Sequence, residues 1–292
     1  LDLLNHHLVR AGFRVPDLEK SAAHAIDVLG LQIADRDESS IALALPGQSA
    51  CLVLRQADAS EFDFMALHTT EANLAEIRRR IDAAGVEATA ARELDGDGLR
   101  VYAPNGVAVE IGVGEGHVRN AAEREAGPVI GSLDHLSFAA EDPGAFRDFF
   151  IDILGFRLSD SVLDRRHWLR CSPNHHTVAV FAGKNGIHHY AFETDDIRGL
   201  ARLGDLLAAR DQNFIWGPGR HGLGANIFTY HLDPAGAILE VTSDMLQVET
   251  EEEWEAEVWE DTLKSGVMWG PLPPAGFRDL SIPASSVAEA AR

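Results

Sequence analysis

The feature that most constrains the fold is an internal repeat. Residues 10–31 read RAGFRVPDLEKSAAHAIDVLGL, and residues 135–156 read HLSFAAEDPGAFRDFFIDILGF. Each stretch runs from a short apolar strand, through Pro and Asp, into a helix ending on Leu-Gly, where Gly30 or Gly155 supplies the left-handed end. The closing segments also match: YAPNGVAVEI at 102–111 and YHLDPAGAILEV at 230–241 are each a turn followed by an apolar strand carrying Glu110 or Glu240. Two copies of one unit, offset by 125 residues at the front and 130 at the back, account for nearly all of the 292 residues. Within a copy the pattern is strand, helix, several strands and a second helix. Residues 73–84 and 196–209 carry apolar positions at helical spacing, and Thr177–Phe181 and His189–Phe192 read as strands. The expectation is an α+β chain with domains at 1–113 and 132–246, joined by a polar, Gly-bearing linker at 114–131 that is helical over 117–125. A tail at 247–292 opens on the acid run Glu249–Glu253 and then carries Trp254, Trp259 and Trp269. An acid run alone reads as a solvated face, but three closely spaced tryptophans predict that the tail packs on something apolar, on or near the site.

Charge narrows the partners. Acidic residues outnumber basic ones 46 to 25, for a net charge of −21, and such a surface repels nucleic-acid phosphates. No apolar run approaches the ~20 residues of a membrane span. Cys51 and Cys171 fit neither a disulfide framework nor a Cys-based zinc site, which suits a reducing cytosol. No signal peptide is visible, and the opening Leu1 reads as the trimming of a few residues; the expected location is cytoplasmic.

The chemistry gathers in the second copy. Six of the 13 histidines, His175, His176, His188, His189, His221 and His231, fall between 171 and 240. The repeat sets Arg10 against His135 and Phe64 against His189, and only Glu110 keeps a counterpart, Glu240. One copy can therefore bind a metal and the other cannot. Two imidazoles and a carboxylate on separate strands describe the facial triad of non-haem Fe(II) oxygenases, which leaves positions open for a chelating substrate and dioxygen. Zinc accepts the same ligand types, so the triad alone does not name the metal.

The stretch Gly219–Glu240, GRHGLGANIFTYHLDPAGAILE, resembles the signature of the type I extradiol ring-cleavage dioxygenases of the vicinal oxygen chelate superfamily. The matching residues are Gly219, His221, Tyr230, Asp233, Pro234, Gly236 and Glu240; Thr229 departs from the usual aliphatic or Phe. The resemblance covers the whole chain and implies paired βαβββ modules, two per domain, with the metal in the C-terminal domain only. It implies His135 (from LDHLSF), His189 (from GIHHYAFE) and Glu240 (from ILEV) as metal ligands, with Fe(II) as the metal and Mn(II) as an acceptable substitute. It implies His176 as the active-site histidine on the dioxygen side, and Tyr230 and His221 as groups that hydrogen-bond the substrate's oxygens. The implied reaction is cleavage of a catechol-type ring by O2 beside one hydroxyl, to a muconic semialdehyde-type product, in a homo-oligomer such as a dimer or tetramer. The outer histidines His175, His188 and His231 alternate with the chosen residues and are expected to face away.

Relatives that cleave acidic catechols place an arginine shortly before the signature His. Here Trp216 stands there, and with Trp168 it suggests a wall for an apolar or aromatic ring substituent, while Lys264 in the tail could still supply positive charge. Three rivals share the fold. Glyoxalase-type isomerases usually draw ligands from both modules of a site, keto-acid dioxygenases usually carry other C-terminal motifs, and a metal-free ligand-sequestering protein needs no triad.

Overall fold

A computed structural model describes residues 5–116, 130–248 and 254–285. The expected helix at 117–125 and the acid run Glu249–Glu253 lie outside the described residues. The first module is β1 (His7–Val15), α1 (Leu18–His24), β2 (Gln32–Arg36), β3 (Ser40–Ala44) and β4 (Ala50–Gln56). Helix α1 begins where the Asp17 side chain accepts the Lys20 N–H, continues through a wider turn over Ala25–Leu29, and stops at Gly30, whose φ of +79° a side chain would resist. The second module is β5 (Glu61–Thr69), α2 (Glu71–Ala84), β6 (Ala88–Ala90), β7 (Leu99–Tyr102) and β8 (Ala108–Val113).

The second copy repeats the order. It runs β9 (Leu133–Ala140), α3 (Pro143–Asp148), β10 (Arg157–Val162), β11 (Arg166–Arg170) and β12 (Val178–Ala182), then β13 (Gly186–Glu193), α4 (Ile197–Ala208), β14 (Trp216–Arg220), β15 (Ile227–Leu232) and β16 (Ile238–Ser243). The tail adds β17 (Glu257–Trp259) and a single turn, α5 (Leu263–Gly266). The α+β fold of paired βαβββ modules is thus realised. Helices α2 and α4 fall on the two segments that helical spacing marks.

Among the described residues each copy forms one sheet. The first has the order β2-β3-β4-β1-β5-β8-β7-β6, and the second the order β14-β15-β16-β13-β9-β12-β11-β10-β17. Register gives the repeat a residue-level meaning. Arg10 pairs with Ala66 and Ala66 with Glu110; His135 pairs with Ala191 and Ala191 with Glu240. Gly12 faces Phe64 as Ser137 faces His189, and Arg100 faces Glu110 as Tyr230 faces Glu240. Arg10, Phe64 and Arg100 therefore occupy the places of His135, His189 and Tyr230.

One apolar core runs through both copies, with Phe13 against Tyr190 (4.7 Å between ring centroids) and Phe62 against Phe138 (5.5 Å) joining the halves. A second cluster, Trp216, Phe228, Tyr230, Val267 and Phe277, ties the tail to the other face of the second sheet. The tail crosses that face on isolated bridges, Arg220 to Trp269 and Ile187 to Ile282. No helix among the described residues is long and apolar enough to cross a membrane.

Candidate metal centre and catalytic pocket

Strands β9, β13 and β16 are neighbours at the centre of the second sheet, and each turns one polar side chain to the same point. His135 Nε2 lies 3.3 Å from His189 Nε2 and 3.0 Å from Glu240 Oε2, and the remaining His189–Glu240 distance is 3.2 Å. His135 and Glu240 are both 1% exposed, in an interior where charged groups are costly unless matched.

The proton inventory of this trio decides what it can hold. His135 Nδ1 is 2.6 Å from Asp134 Oδ2, and a carboxylate only accepts, so Nδ1 carries a proton and, when the ring is neutral, Nε2 presents a lone pair. His188 Nε2 is 3.0 Å from the Phe277 carbonyl, so it donates there and leaves its Nδ1 bare. His189 Nδ1, 2.7 Å away, then donates to His188, and His189 Nε2 is bare in turn. With His135 neutral, two imidazole lone pairs converge on a carboxylate oxygen, and without a metal the balancing proton sits on His135. That arrangement needs a cation, and it fits a divalent one, with each imidazole's far nitrogen anchored as bound histidines usually are. The electrostatics agree. Burial works to lower the pKa of His135, but Glu240 and Asp134 outweigh it and raise it to about 10. Burial works to raise that of Glu240, and His135 holds it well below the carboxylate range instead. A metal ion supplies the positive charge that a proton on His135 otherwise brings.

Around this point lies a cavity of about 340 Å³, within the usual range of small-molecule sites. The His176 ring centroid is 4.5 Å from that of His135, and burial, with His135 next, holds its pKa well below the usual value. His221 Nδ1 donates to the Gly266 carbonyl at 2.7 Å, so its Nε2 accepts the Tyr230 hydroxyl at 3.0 Å. Burial, followed by the Glu240 charge, pushes the Tyr230 phenol well above its usual range, so it stays a donor at neutral pH. Trp216 stacks on Tyr230 at 5.2 Å and donates its indole N–H to the Pro271 carbonyl, so it braces the tyrosine as well as lining the cavity. Trp168 also lines the cavity. All eight residues singled out in the sequence border this one cavity.

Two expectations need correction. His231 does face away, its Nε2 lying 3.2 Å from that of His24 between the two copies, and His175 is not among the cavity-lining residues, but His188 is. A bulge between Ile187 and His189 breaks the strand alternation and brings His188 to the cavity wall. His175 lies in the connection between β11 and β12, where alternation has no force. Lys264 is not among the lining residues; Arg166 and Arg278 are, the former paired with Asp261 of the tail. Sequence reasoning also missed Asn226, which donates to Glu240 at 3.3 Å and to Thr242 at 2.8 Å. Its place inside the signature stretch was the available signal.

The profile of the Glyoxalase/Bleomycin resistance protein/Dioxygenase superfamily matches residues 5–111 and 132–241, which is most of the chain. The chain belongs to that superfamily. Among superfamily relatives it is similar to Metapyrocatechase 2 of Cupriavidus necator, with 26% identity over 93% of this chain and 91% of the relative. It is also 26% identical to the manganese-dependent 2,3-dihydroxybiphenyl 1,2-dioxygenase of Geobacillus genomosp. 3, over 90% of this chain and 94% of the relative. Among solved structures, the Mn(II)-bound glyoxalase from Novosphingobium aromaticivorans superposes with a TM-score of 0.83 at 26% identity, covering 96% of this chain and 94% of that one. Within this superfamily the ligand sources do not separate glyoxalase-type from dioxygenase sites here. His135 comes from one module, and His189 and Glu240 from the next.

Proposed function

We propose that the chain is an extradiol dioxygenase that opens a catechol-type ring with O2 at a non-haem Fe(II), a site that Mn(II) also suits. The observation that carries this reading is the convergence of His135 Nε2, His189 Nε2 and the Glu240 carboxylate in a cavity also bordered by His176, His221 and Tyr230. His135, His189 and Glu240 would hold the metal, which when bound acidifies the catechol hydroxyls and brings substrate and O2 together.

The chain's own groups do the rest. Tyr230, kept protonated, donates to a substrate oxygen. His221, anchored through Nδ1 on the tail carbonyl of Gly266, accepts the Tyr230 hydroxyl before substrate binds; once that hydroxyl turns to the substrate, the freed Nε2 lone pair accepts from the substrate's remaining hydroxyl. His176, held neutral, is the group on the dioxygen side that takes a proton and returns it. The tail residues Leu263, Val267 and Phe277 give the cavity an apolar border. The apolar walls at Trp168 and Val180 favour a ring with an apolar or aromatic substituent. The division 1–113, 132–246 and tail is supported by one sheet per copy. A homo-oligomer is supported by the exposed tail residues Val258 (69%) and Leu263 (68%). A cytoplasmic setting suits two buried free thiols.

The test is product analysis. Iron-loaded protein given 2,3-dihydroxybiphenyl in air is expected to form the yellow ring-opened semialdehyde, and His189→Ala is expected to abolish it. Iron retained with neither catechol nor 2,3-dihydroxybiphenyl opened would leave the glyoxalase-type reading in its place.

A further inference from the structure

His175 has no part in the reaction as described, yet its surroundings are built. It is completely buried (0% exposed), and Trp254 of the tail stands edge-on to it, 5.6 Å between ring centroids. Its Nε2 lies 3.2 Å from Asp160 Oδ2, and its Nδ1 lies 3.1 Å from His176 Nδ1. Asp160, on β10, is 3% exposed. Its other oxygen, Oδ1, accepts the backbone N–H of Glu257 on β17 at 2.9 Å. Neighbouring Ser159 accepts the Trp254 indole N–H at 2.8 Å, which fixes the tail strand against β10.

These contacts define a chain of donors. The Asp160 carboxylate has no proton to give, so His175 donates from Nε2. A neutral imidazole has one N–H, so His175 Nδ1 is a lone pair. It can only accept, and the group facing it is His176 Nδ1. His176 therefore carries its proton on Nδ1 and keeps Nε2 bare for a partner in the cavity it lines. The arrangement matches the second doublet, where the Phe277 carbonyl, through His188, leaves His189 Nε2 bare. Each His-His pair thus consists of an outer ring that sets the tautomer and an inner ring that works.

We propose that His175, held by Asp160, is a positioning residue that fixes His176 as the Nδ1–H tautomer, so that His176 meets the substrate complex as a proton acceptor before it acts as a donor. The consequence for turnover rests on the role given to His176 above; the tautomer itself does not.

Asp160→Asn is a sharp test. The Glu257 N–H still requires an acceptor, which pins the amide oxygen at Oδ1 and turns the NH2 toward His175 Nε2. Every proton in the chain then reverses, and His176 Nε2 becomes the N–H. Long-range 15N–1H correlation spectra of 15N-histidine-labelled full chain loaded with Zn(II), with His176→Asn used for assignment, read the tautomer directly. Wild type is expected to show Nδ1–H at His176, and Asp160→Asn to show Nε2–H. In the iron-loaded protein, kcat of Asp160→Asn is expected to fall about 10- to 100-fold, the low end of an acid–base contribution, with KM and metal content unchanged within about two-fold. A wild-type spectrum with His176 protonated on Nε2, or with His175 protonated on both nitrogens, overturns the proposal without reference to any variant. An unchanged tautomer and kcat in folded Asp160→Asn overturns it as well. A wild-type enzyme that opens no catechol overturns the catalytic role while the spectrum still decides the positioning.

Discussion

The two copies bury the same carboxylate and treat it in opposite ways. In the first copy Glu110, fully buried, is matched by the Arg100 guanidinium at 3.0 Å and accepts the backbone N–H groups of Arg92 and Glu93 at 2.9 and 2.8 Å. Arg10, in the register of His135, sends its Nε to the Ala50 carbonyl at 3.0 Å. Phe64 fills the remaining space with Val53, Leu94 and Ala108, its ring so close over Gly12 that a Cβ there would meet it at 2.1 Å. In the second copy Tyr230 replaces the arginine, imidazoles replace Arg10 and Phe64, and a cavity replaces the apolar plug. A permanent cation makes Glu110 structural. Its removal, with lone pairs aimed at the same place, makes Glu240 a site that must recruit positive charge.

Breaking this contrast in the second copy should have the largest effect. Removing one ligand, by His135→Ala or Glu240→Gln, is expected to cut bound iron to below about a tenth of wild type and abolish ring opening, because two donors hold a divalent metal poorly; metal analysis after desalting checks it. The matching cut in the first copy should strike stability instead. Arg100→Met strands the Glu110 charge and is expected to cost about 3–5 kcal/mol in urea unfolding, with turnover per folded molecule retained. Arg100→Met with Glu110→Met should recover most of that loss, since apolar replacement of a buried pair is often neutral. A fall in turnover without a fall in stability would mean that the first copy takes part in the chemistry.

The smallest expected effect lies where the copies touch. His24 and His231 face each other at 3.2 Å, and burial lowers them to about 4 and about 3 respectively. Both therefore stay neutral in the folded protein while the unfolded chain takes up protons below 6.5, so stability is full above that pH and is lost as pH falls from 6.5 toward 3–4. Each can contribute up to about 1.4 kcal/mol per pH unit in that window. Urea midpoints at pH 7 and pH 5 are expected to differ less in His231→Phe than in wild type.

Much of this contrast was legible before any coordinates. Repeat alignment pairs Arg10 with His135 and Phe64 with His189, and strand register gives the same pairs, because strand order and turn positions are carried by local Pro, Asp and Gly signals. Arg100 was not visible as the partner of Glu110, since the segments before the two closing turns share little sequence and only register brings Arg100 opposite. His188 departs from expectation for a related reason. Period-two alternation assumes an unbroken strand, and the bulge beside His188 removes that assumption. The tail's part was half legible. Its tryptophans announce packing, but the carbonyls of Gly266 and Phe277, which set the tautomers of His221 and His188, belong to backbone and leave no trace in residue type.

The central claim is that only the second copy holds a metal and that this metal opens catechols. Anaerobic Fe(II) titration, followed by admission of air with catechol and an oxygen electrode, addresses it most directly. One iron per chain, and one O2 consumed for each ring opened, is the result predicted. Two irons per chain, none, or oxygen uptake without ring opening would contradict it.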